Sequence, residues 1–321
     1  MNDTATPTVS VVIPTFNRGA LLEQAIRSVL AQTYRDLELL IVDDGSTDTT
    51  RARVATFQRD DRVKYLFQRN RGRSAARNAG IRAARGRYVA LLDDDDFWSP
   101  EKLERQMARL QDDAVDVVHC DFRVVDGGGQ LLATGYERPP SRGSLYEDLM
   151  YGNVITGSLS AALVRSRCFD QVGVFDERLS AYEDQDLFRR MALANHTFSY
   201  VNEVLVFIRW HEANTQSDPA SMAKSRMLYL DKLRAEAPPR FRHHLPEVAY
   251  DIYRHSAFAL LGASRAAEAA PFAFRIAKLG PKYIARFAPR MFWFFWEAVM
   301  RRLSRLKRRV FAGRVSAPPI K

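Results

Sequence analysis

Apolar and polar positions fall in alternating blocks along the first hundred residues. "VSVVIP" (9–14) is an apolar-rich run of strand length, and "GALLEQAIRSVLAQT" (19–33) spaces Leu22, Ile26, Val29 and Leu30 at helical intervals. The pair recurs: "LELLIVD" (37–43) predicts a second strand with a helix after "GSTD", and "VKYLFQ" (63–68) a third, followed by a helix from Ser74 to about Ala84. "RYVALLD" (87–93) predicts a fourth strand. Ser99-Pro100-Glu101 then reads as a helix start, with a hydroxyl N-cap, a first-turn proline and an acid at the positive dipole end. Strand–helix alternation of this kind predicts an α/β fold, a mostly parallel sheet covered by helices on both faces.

From about 115 to 210 the pattern is mixed. "VDVVHCDFRVVD" before "GGG" predicts a strand with a hairpin-like turn, while "GSLSAALVRS" and "EVLVFIRW" predict further strands around a helix near 184–194. Beyond about 220 the chain reads as helical, punctuated by "APP" (237–239), Pro271, Pro281 and Pro289. The expected division is a sheet domain over 1–217, a smaller helical region over 218–288 and a tail over 289–321.

Charge sharpens the picture of the tail. The 321-residue chain carries a net +10, but residues 271–321 alone hold 13 Lys and Arg against one acid, Glu297, so the rest is slightly acidic. Within 289–311, Phe292, Trp296, Val299, Leu303, Leu306 and Val310 form one helical stripe, and arginines and lysines occupy much of the remainder. Such a helix is expected to lie on an anionic membrane surface. The alternatives are packing on protein and, with less support, nucleic-acid binding, for which the basic residues lack a recognisable module. No nucleic-acid partner is expected. Two cysteines, Cys120 and Cys168, suit a reducing compartment, and there is no signal-like start or membrane-length apolar run. A cytoplasmic protein, peripheral at the inner face of the cell membrane, is therefore expected.

Candidate chemistry lies where the predicted strands end. "PTFNR", "DDGSTD" and "DDDD" follow the first, second and fourth strands, and in open α/β sheets ligands collect at the carboxyl ends. Four aspartates, Asp93–Asp96, after a buried strand repel one another unless a cation joins them, and hard divalent cations bind through one or two carboxylates plus substrate phosphates. A solvated acidic turn is the bland alternative. Asp43, at the buried end of its strand, is suited to accept from the imino N–H of a nucleotide base. Arg77, between Ala76 and Asn78, is a candidate for base or phosphate contact. Ser180 and Glu183 have capping-box spacing, and Asp186 and Arg190 are an ordinary helix-face pair.

"VVIPTFNR", "VDDGSTD", "ARNAGI", "LLDDDDFWSPEKLERQ" and "YEDQDLFRRM", in this order and spacing over about residues 8–215, resemble the family 2 glycosyltransferases. The resemblance implies the GT-A fold and an inverting single displacement that moves a sugar from a nucleotide-diphosphate sugar, most simply a UDP-sugar, to a glycan or lipid-linked acceptor. It implies Thr15, Asn17, Asp43, Asp44, Arg77, Asn78, Asp93 and Asp94 around the nucleotide sugar. Asp95 is the expected ligand of Mn2+ or Mg2+, with His211 as a further metal ligand. Asp184 is the expected general base, with Glu183 as fallback, and Asn153 or Thr156 lines the acceptor side. Surface polysaccharide or glycolipid synthesis follows as the expected setting.

A metal-dependent nucleotidyltransferase needs similar groups but breaks a different donor bond. An inactive nucleotide-binding, membrane-associated scaffold is disfavoured because each catalytic-type position keeps a usable residue. The absence of "GxxxxGK[ST]" and "GxGxxG" excludes P-loop ATPase and Rossmann dehydrogenase readings.

Overall fold

The computed structural model describes residues 6–133, 144–152, 159–210 and 218–293. Asn153, Thr156, His211 and the tail beyond residue 293 lie outside the described residues. The chain divides into two compact units between His244 and Leu245. The sequence reading drew this boundary at 217; helix α8 (Pro219–Glu236) belongs to the first unit, tied to it by Lys232 and Glu236.

β1 (Val9–Thr15) and β2 (Leu37–Asp43) are buried at all seven positions each, the pattern expected of strands covered on both faces. They pair in parallel with β3 (Val63–Phe67) and β4 (Tyr88–Leu91), in the order β3-β2-β1-β4. Register decides what meets at the carboxyl edge. Thr15 sits beside Asp43, and the Leu92 N–H donates to the Val12 carbonyl, which brings the acid run up next to them. Beyond β4 the direction changes. β8 (Leu163–Arg165) runs antiparallel to β4, then β6 (Val117–Val125) antiparallel to β8, β9 (Phe198–Arg209) parallel to β6, and β5 (Phe97–Trp98) antiparallel to β9. The hairpin expected at "GGG" forms between β6 and β7 (Leu131–Ala133). The sheet is thus mixed, parallel from β3 to β4 and mostly antiparallel beyond.

Alternate strand residues feed two cores. Val9, Val11, Ile13, Leu39 and Ile41 pack with α1 (Gly19–Leu30), α2 (Thr50–Ala55) and α4 (Lys102–Arg109). Val12, Leu40 and Val42 pack with α3 (Arg73–Ala83), α5 (Leu145–Tyr151), α6 (Ser166–Val172) and α7 (Glu183–Leu193). Gly80 allows α3 to approach the sheet, since a Cβ there would lie 2.2 Å from Val12 Cγ1. Three local expectations are corrected. The helix after Ser99 begins at Lys102 with Glu101 at its N-cap, and the Ser99 hydroxyl donates to the Glu101 carboxylate instead of capping. α5 and α6 were not anticipated, although Ser144 and Glu147 form a capping box at the start of α5. In the second unit, α9 (Leu245–Gly262) and α10 (Ala266–Leu279) are followed by a helix over 281–293, with Pro271 inside α10 and Pro289 inside the last helix. Pro281 opens the last helix where no intrahelical bond is lost, whereas Pro271 and Pro289 each lack one intrahelical N–H donor; Tyr283 packs on Tyr250 and Phe287 on Phe258 within the same unit.

One buried group stands against the first core. Lys102 has no exposed surface, its ammonium lies 3.6 Å from the Trp98 ring centroid, and Nζ has no hydrogen-bond partner among the described residues. The ring offsets part of the desolvation cost. Burial pushes the Lys102 ammonium down to about 7. Because the folded value lies below the unfolded one, the destabilisation sets in as pH falls below about 10 and is complete near pH 7. Lys102→Met is expected to raise stability at pH 7 by on the order of 1–3 kcal/mol, with a smaller gain at pH 10, in denaturant melts at the two pH values. An equal or larger gain at pH 10 would contradict this account of Lys102.

Candidate active site

The strand ends and their loops are locked together by side chains. Asp43 is fully buried, its two oxygens accepting the Ser46 N–H at 2.7 Å and the Tyr65 hydroxyl at 2.6 Å. Burial and the Asp43 carboxylate push the Tyr65 phenol well up, so it remains a donor. Gly45, at φ 87°, makes the turn behind Asp43 that an L side chain would strain. Asn17 adopts φ 53°, and its carbonyl oxygen accepts from the backbone N–H groups of Thr47 and Asp48 at 2.8 and 3.3 Å, tying the β1 loop to the β2 loop. Asp44 accepts from Gln68 Nε2, the Arg71 N–H and the Gly72 N–H at 2.7–2.9 Å, anchoring the segment that leads into α3.

The acid run is held by two arginines and two hydroxyls. Arg77, 1% exposed in α3, donates to Asp93 at 2.5 Å and to Glu183 at 2.8 Å. Arg18 donates to Asp94 at 3.1 Å and to Asp95 at 2.7 Å. Thr15 donates to Asp94 at 2.7 Å, and Ser160 donates to Asp96 at 2.6 Å. The four carboxyls respond differently. Burial would raise Asp93, but the charge and hydrogen bond of Arg77 together with the Arg73 and Arg18 charges offset it and hold the group below the usual carboxylate range. Burial pushes Asp94 up to about 7 despite Arg18, and burial together with Asp93 and Asp95 pushes Asp96 well above the ordinary range. Crowding in a dry setting is thus relieved by pairing at one end of the run and by protonation toward the other.

The opposite wall is the start of α7. Tyr182 caps it in the left-handed conformation at φ 68°, with no side-chain cap. The expected Ser180–Glu183 capping box does not form. Ser180 pairs instead with Ser221 and Ser225 of α8, and Glu183 with Arg77 and, at 3.6 Å, Arg73. Asp184 is half-buried and accepts the Gln185 N–H at 2.7 Å. Asp186 is fully buried among Arg189, Arg190 and Lys232, its pairing with Arg190 as expected.

The structure therefore brings Thr15, Asp43, Asp93, Asp94, Asp95, Arg77 and Glu183 to one edge. Asn78 turns elsewhere, exchanging hydrogen bonds with the Phe175 backbone and donating to Glu177. Three residues at this edge were missed in the sequence. Arg18 stands in the quoted "PTFNR" and its charge beside an acid run was the available signal; Tyr65 and Ser160 carried none, since their partners are 22 and 64 residues away.

The acid run has the chemistry of a divalent-cation site. The run offers only hard carboxylate oxygens, and the Arg18 guanidinium lies where it neutralises Asp94 and Asp95, so positive charge is already drawn to this point. The four carboxyls diverge toward Arg77, Thr15, Arg18 and Ser160 instead of forming a closed cage. That fits a cation held by one or two carboxylates and completed by phosphate oxygens.

With this geometry described, comparison with known proteins defines the class. The family model for glycosyl transferase family 2 matches residues 10–173, and the chain belongs to that family. It is 31% identical over 225 residues to an uncharacterised glycosyltransferase of Rickettsia typhi, covering 66% of this chain and 67% of that protein. It is 30% identical over 212 residues to the chondroitin synthase of Escherichia coli, covering 65% of this chain but only 30% of the relative. Among solved structures, S. aureus TarS 1–349 with UDP-GlcNAc matches with a TM-score of 0.57 at 17% identity, over 83% of this chain and 89% of that one. A mannosyltransferase of Pyrobaculum calidifontis with GDP-Man and Mn2+ matches with a TM-score of 0.57 at 20% identity, over 92% and 85%. The fold is that of the GT-A glycosyltransferases, and the protein is a glycosyltransferase.

Removing Arg77 leaves Asp93 and Glu183 facing each other without their shared cation. Arg77→Met is expected to cost about 3–5 kcal/mol in chemical denaturation, and Arg77→Met with Glu183→Gln less than Arg77→Met alone. A loss under 1 kcal/mol for the single variant would contradict the bridging role.

Proposed function

We propose that this glycosyltransferase moves a sugar from a nucleotide-diphosphate sugar to a hydroxyl of a glycan or lipid-linked acceptor by a single inverting displacement. The observation that carries the reading is Arg77, a buried arginine clasping Asp93 at the end of β4 and Glu183 at the start of α7. It joins a phosphate-side acid run to a helix whose next residue, Asp184, is a half-buried carboxylate. Neighbours of the same fold, solved with UDP-GlcNAc and with GDP-Man and Mn2+, support the donor class.

Asp43 and Thr15 receive the nucleoside, with Asp43 accepting from the base, while Asn17 and Asp44 hold the loops around it. Asp93 meets the ribose or the cation, and Asp94 stays paired to Thr15. Asp95, with His211, holds Mn2+ or Mg2+ together with the donor diphosphate; when bound, the ion neutralises the charge that develops on the leaving group. Glu183 is committed to ion pairs, its Oε1 facing both Arg77 and Arg73. Asp184 instead accepts the proton of the acceptor hydroxyl as that oxygen attacks the anomeric carbon, an assistance worth typically about 10²–10⁴-fold. Asn153 and Thr156 are proposed for the acceptor side, and Asn78 supports the donor pocket through the 175–177 loop.

The second unit suits a membrane-surface setting, with surface polysaccharide or glycolipid synthesis as the proposed role. Among the described residues no helix is long and apolar enough to cross a membrane. Phe274, Ile284, Phe292 and Trp293 are exposed beside Lys278, Lys282 and Arg290, a pairing that favours an anionic lipid interface.

The direct test is incubation with a panel of nucleotide sugars and Mn2+. Free nucleoside diphosphate is the expected product, and pyrophosphate would instead mark a nucleotidyltransferase. Asp184→Asn is expected to abolish transfer while calorimetric affinity for the donor stays within a few-fold; turnover near the wild-type rate would remove Asp184 from the role. A chain ending at residue 288 is expected to lose flotation with anionic liposomes that the full chain retains. Equal flotation of both would refute the membrane assignment of 289–311.

A further inference from the structure

At the edge of the sheet opposite the acid run, three side chains of different chemistry converge. Asp116 immediately precedes β6, Cys168 lies in α6, and His196 sits in the turn between α7 and β9. One oxygen or nitrogen or sulfur atom from each lies within 4.8 Å of the other two. His196 Nδ1 faces both partners, at 3.0 Å from Asp116 Oδ2 and 3.6 Å from Cys168 Sγ. All three side chains are well buried, and the His196 and Asp116 side chains are only 5% and 9% exposed.

The arrangement is built by the backbone and does not depend on those side-chain contacts. The Asp116 N–H donates to the Thr197 carbonyl, and the Arg165 N–H donates to the Asp116 carbonyl, both at 2.9 Å. Asn195 adopts φ 63°, and the His196 N–H donates to the Met191 carbonyl at 3.1 Å, which sets the turn that presents the imidazole. The Asp116 carboxylate is oriented further by Arg167 at 2.8 Å and the Thr197 N–H at 3.2 Å. Segments 116, 165–168 and 195–197 are thereby registered before any ligand arrives.

A hydrolase-like relay does not fit, because the cysteine and the aspartate share one ring nitrogen instead of using opposite ones. Burial also pushes the Cys168 thiol up to about 12, which makes it unreactive on its own. One nitrogen, one sulfur and one carboxylate oxygen converging is instead the donor set of a borderline cation. In a tetrahedral zinc site the nitrogen–oxygen and nitrogen–sulfur separations are about 3.4 and 3.5 Å, close to those His196 already makes, and the oxygen–sulfur pair, within 4.8 Å, closes to about 3.5 Å on binding. We propose that Asp116, Cys168 and His196 form a zinc-type metal site that staples β6, α6 and the α7–β9 turn. It is separate from the acid run and selects a different ion, since a thiolate and an imidazole disfavour Mg2+ and Mn2+. On binding, the Cys168 thiol proton passes to solvent, the lone pair of Nδ1 enters the metal, and the ring proton resides on Nε2, which is buried with no hydrogen-bond partner among the described residues and needs a water to receive it. The fourth position takes a water.

The test uses the untagged full chain, stripped with a chelator and titrated with Co2+ alone. One equivalent is expected to produce thiolate-to-cobalt absorption in the near ultraviolet, displaced by Zn2+, with Zn2+ also raising the melting temperature. Cys168→Ser and His196→Gln are expected to lose the band and the thermal shift, whereas Cys120→Ser keeps both. Should Cys168→Ser fail to fold, His196→Gln carries the same readout. Absence of the thiolate band at saturating Co2+, or its persistence in both site variants, would overturn the proposal.

Discussion

Four consecutive carboxyls at the end of a buried strand must be matched by cations or lose their charge, and the way this fold meets that demand organises the rest of its site. Two arginines from different helices or loops are brought to the run, Arg77 from α3 and Arg18 from the loop after β1. Where neither reaches, at Asp96, the carboxyl is held by the Ser160 hydroxyl and the Arg209 N–H and favours its protonated form. The two ends of the run are therefore shifted in opposite directions, Asp93 downward beside Arg77 and Asp96 upward beside Ser160.

Arg77 does more than neutralise Asp93. Because its other nitrogen is spent on Glu183, the first turn of α7 is fixed relative to α3 across 106 residues of chain. Asp186, fully buried among three cations, holds the same helix from below through Lys232 of α8. The consequence for chemistry is a division of labour between neighbouring acids. Glu183 is committed to the ion pair and Asp186 to the scaffold, and the proposed proton transfer falls to Asp184 between them.

Much of the first hundred residues was legible in the sequence because strands buried on both faces write themselves as continuous apolar runs. β1, β2 and α3 fall within a residue or two of expectation for that reason, and the register of parallel neighbours then carries Thr15, Asp43 and the acid run to one edge. The family resemblance supplied roles that spacing alone did not. What stayed hidden depends on long-range partners. Ser180–Glu183 has the spacing of a capping box, yet Arg77 outbids the backbone for Glu183, while the capping box that does form, Ser144–Glu147, opens a short helix with little periodicity. α5 and α6 were obscured by their brevity, and Pro271 and Pro289 suggested breaks at positions that lie inside helices of the second unit.

The central claim is that the acid run is the protein half of a cation and diphosphate site facing Asp184. A crystal structure of the full chain soaked with a nucleotide sugar and Mn2+ addresses it most directly. The account predicts anomalous density for the ion between the Asp95 carboxylate and the donor phosphates, with the anomeric carbon turned toward Asp184. Donor bound elsewhere, or an acid run still closed on Arg18 with no ion beside it, would contradict the account.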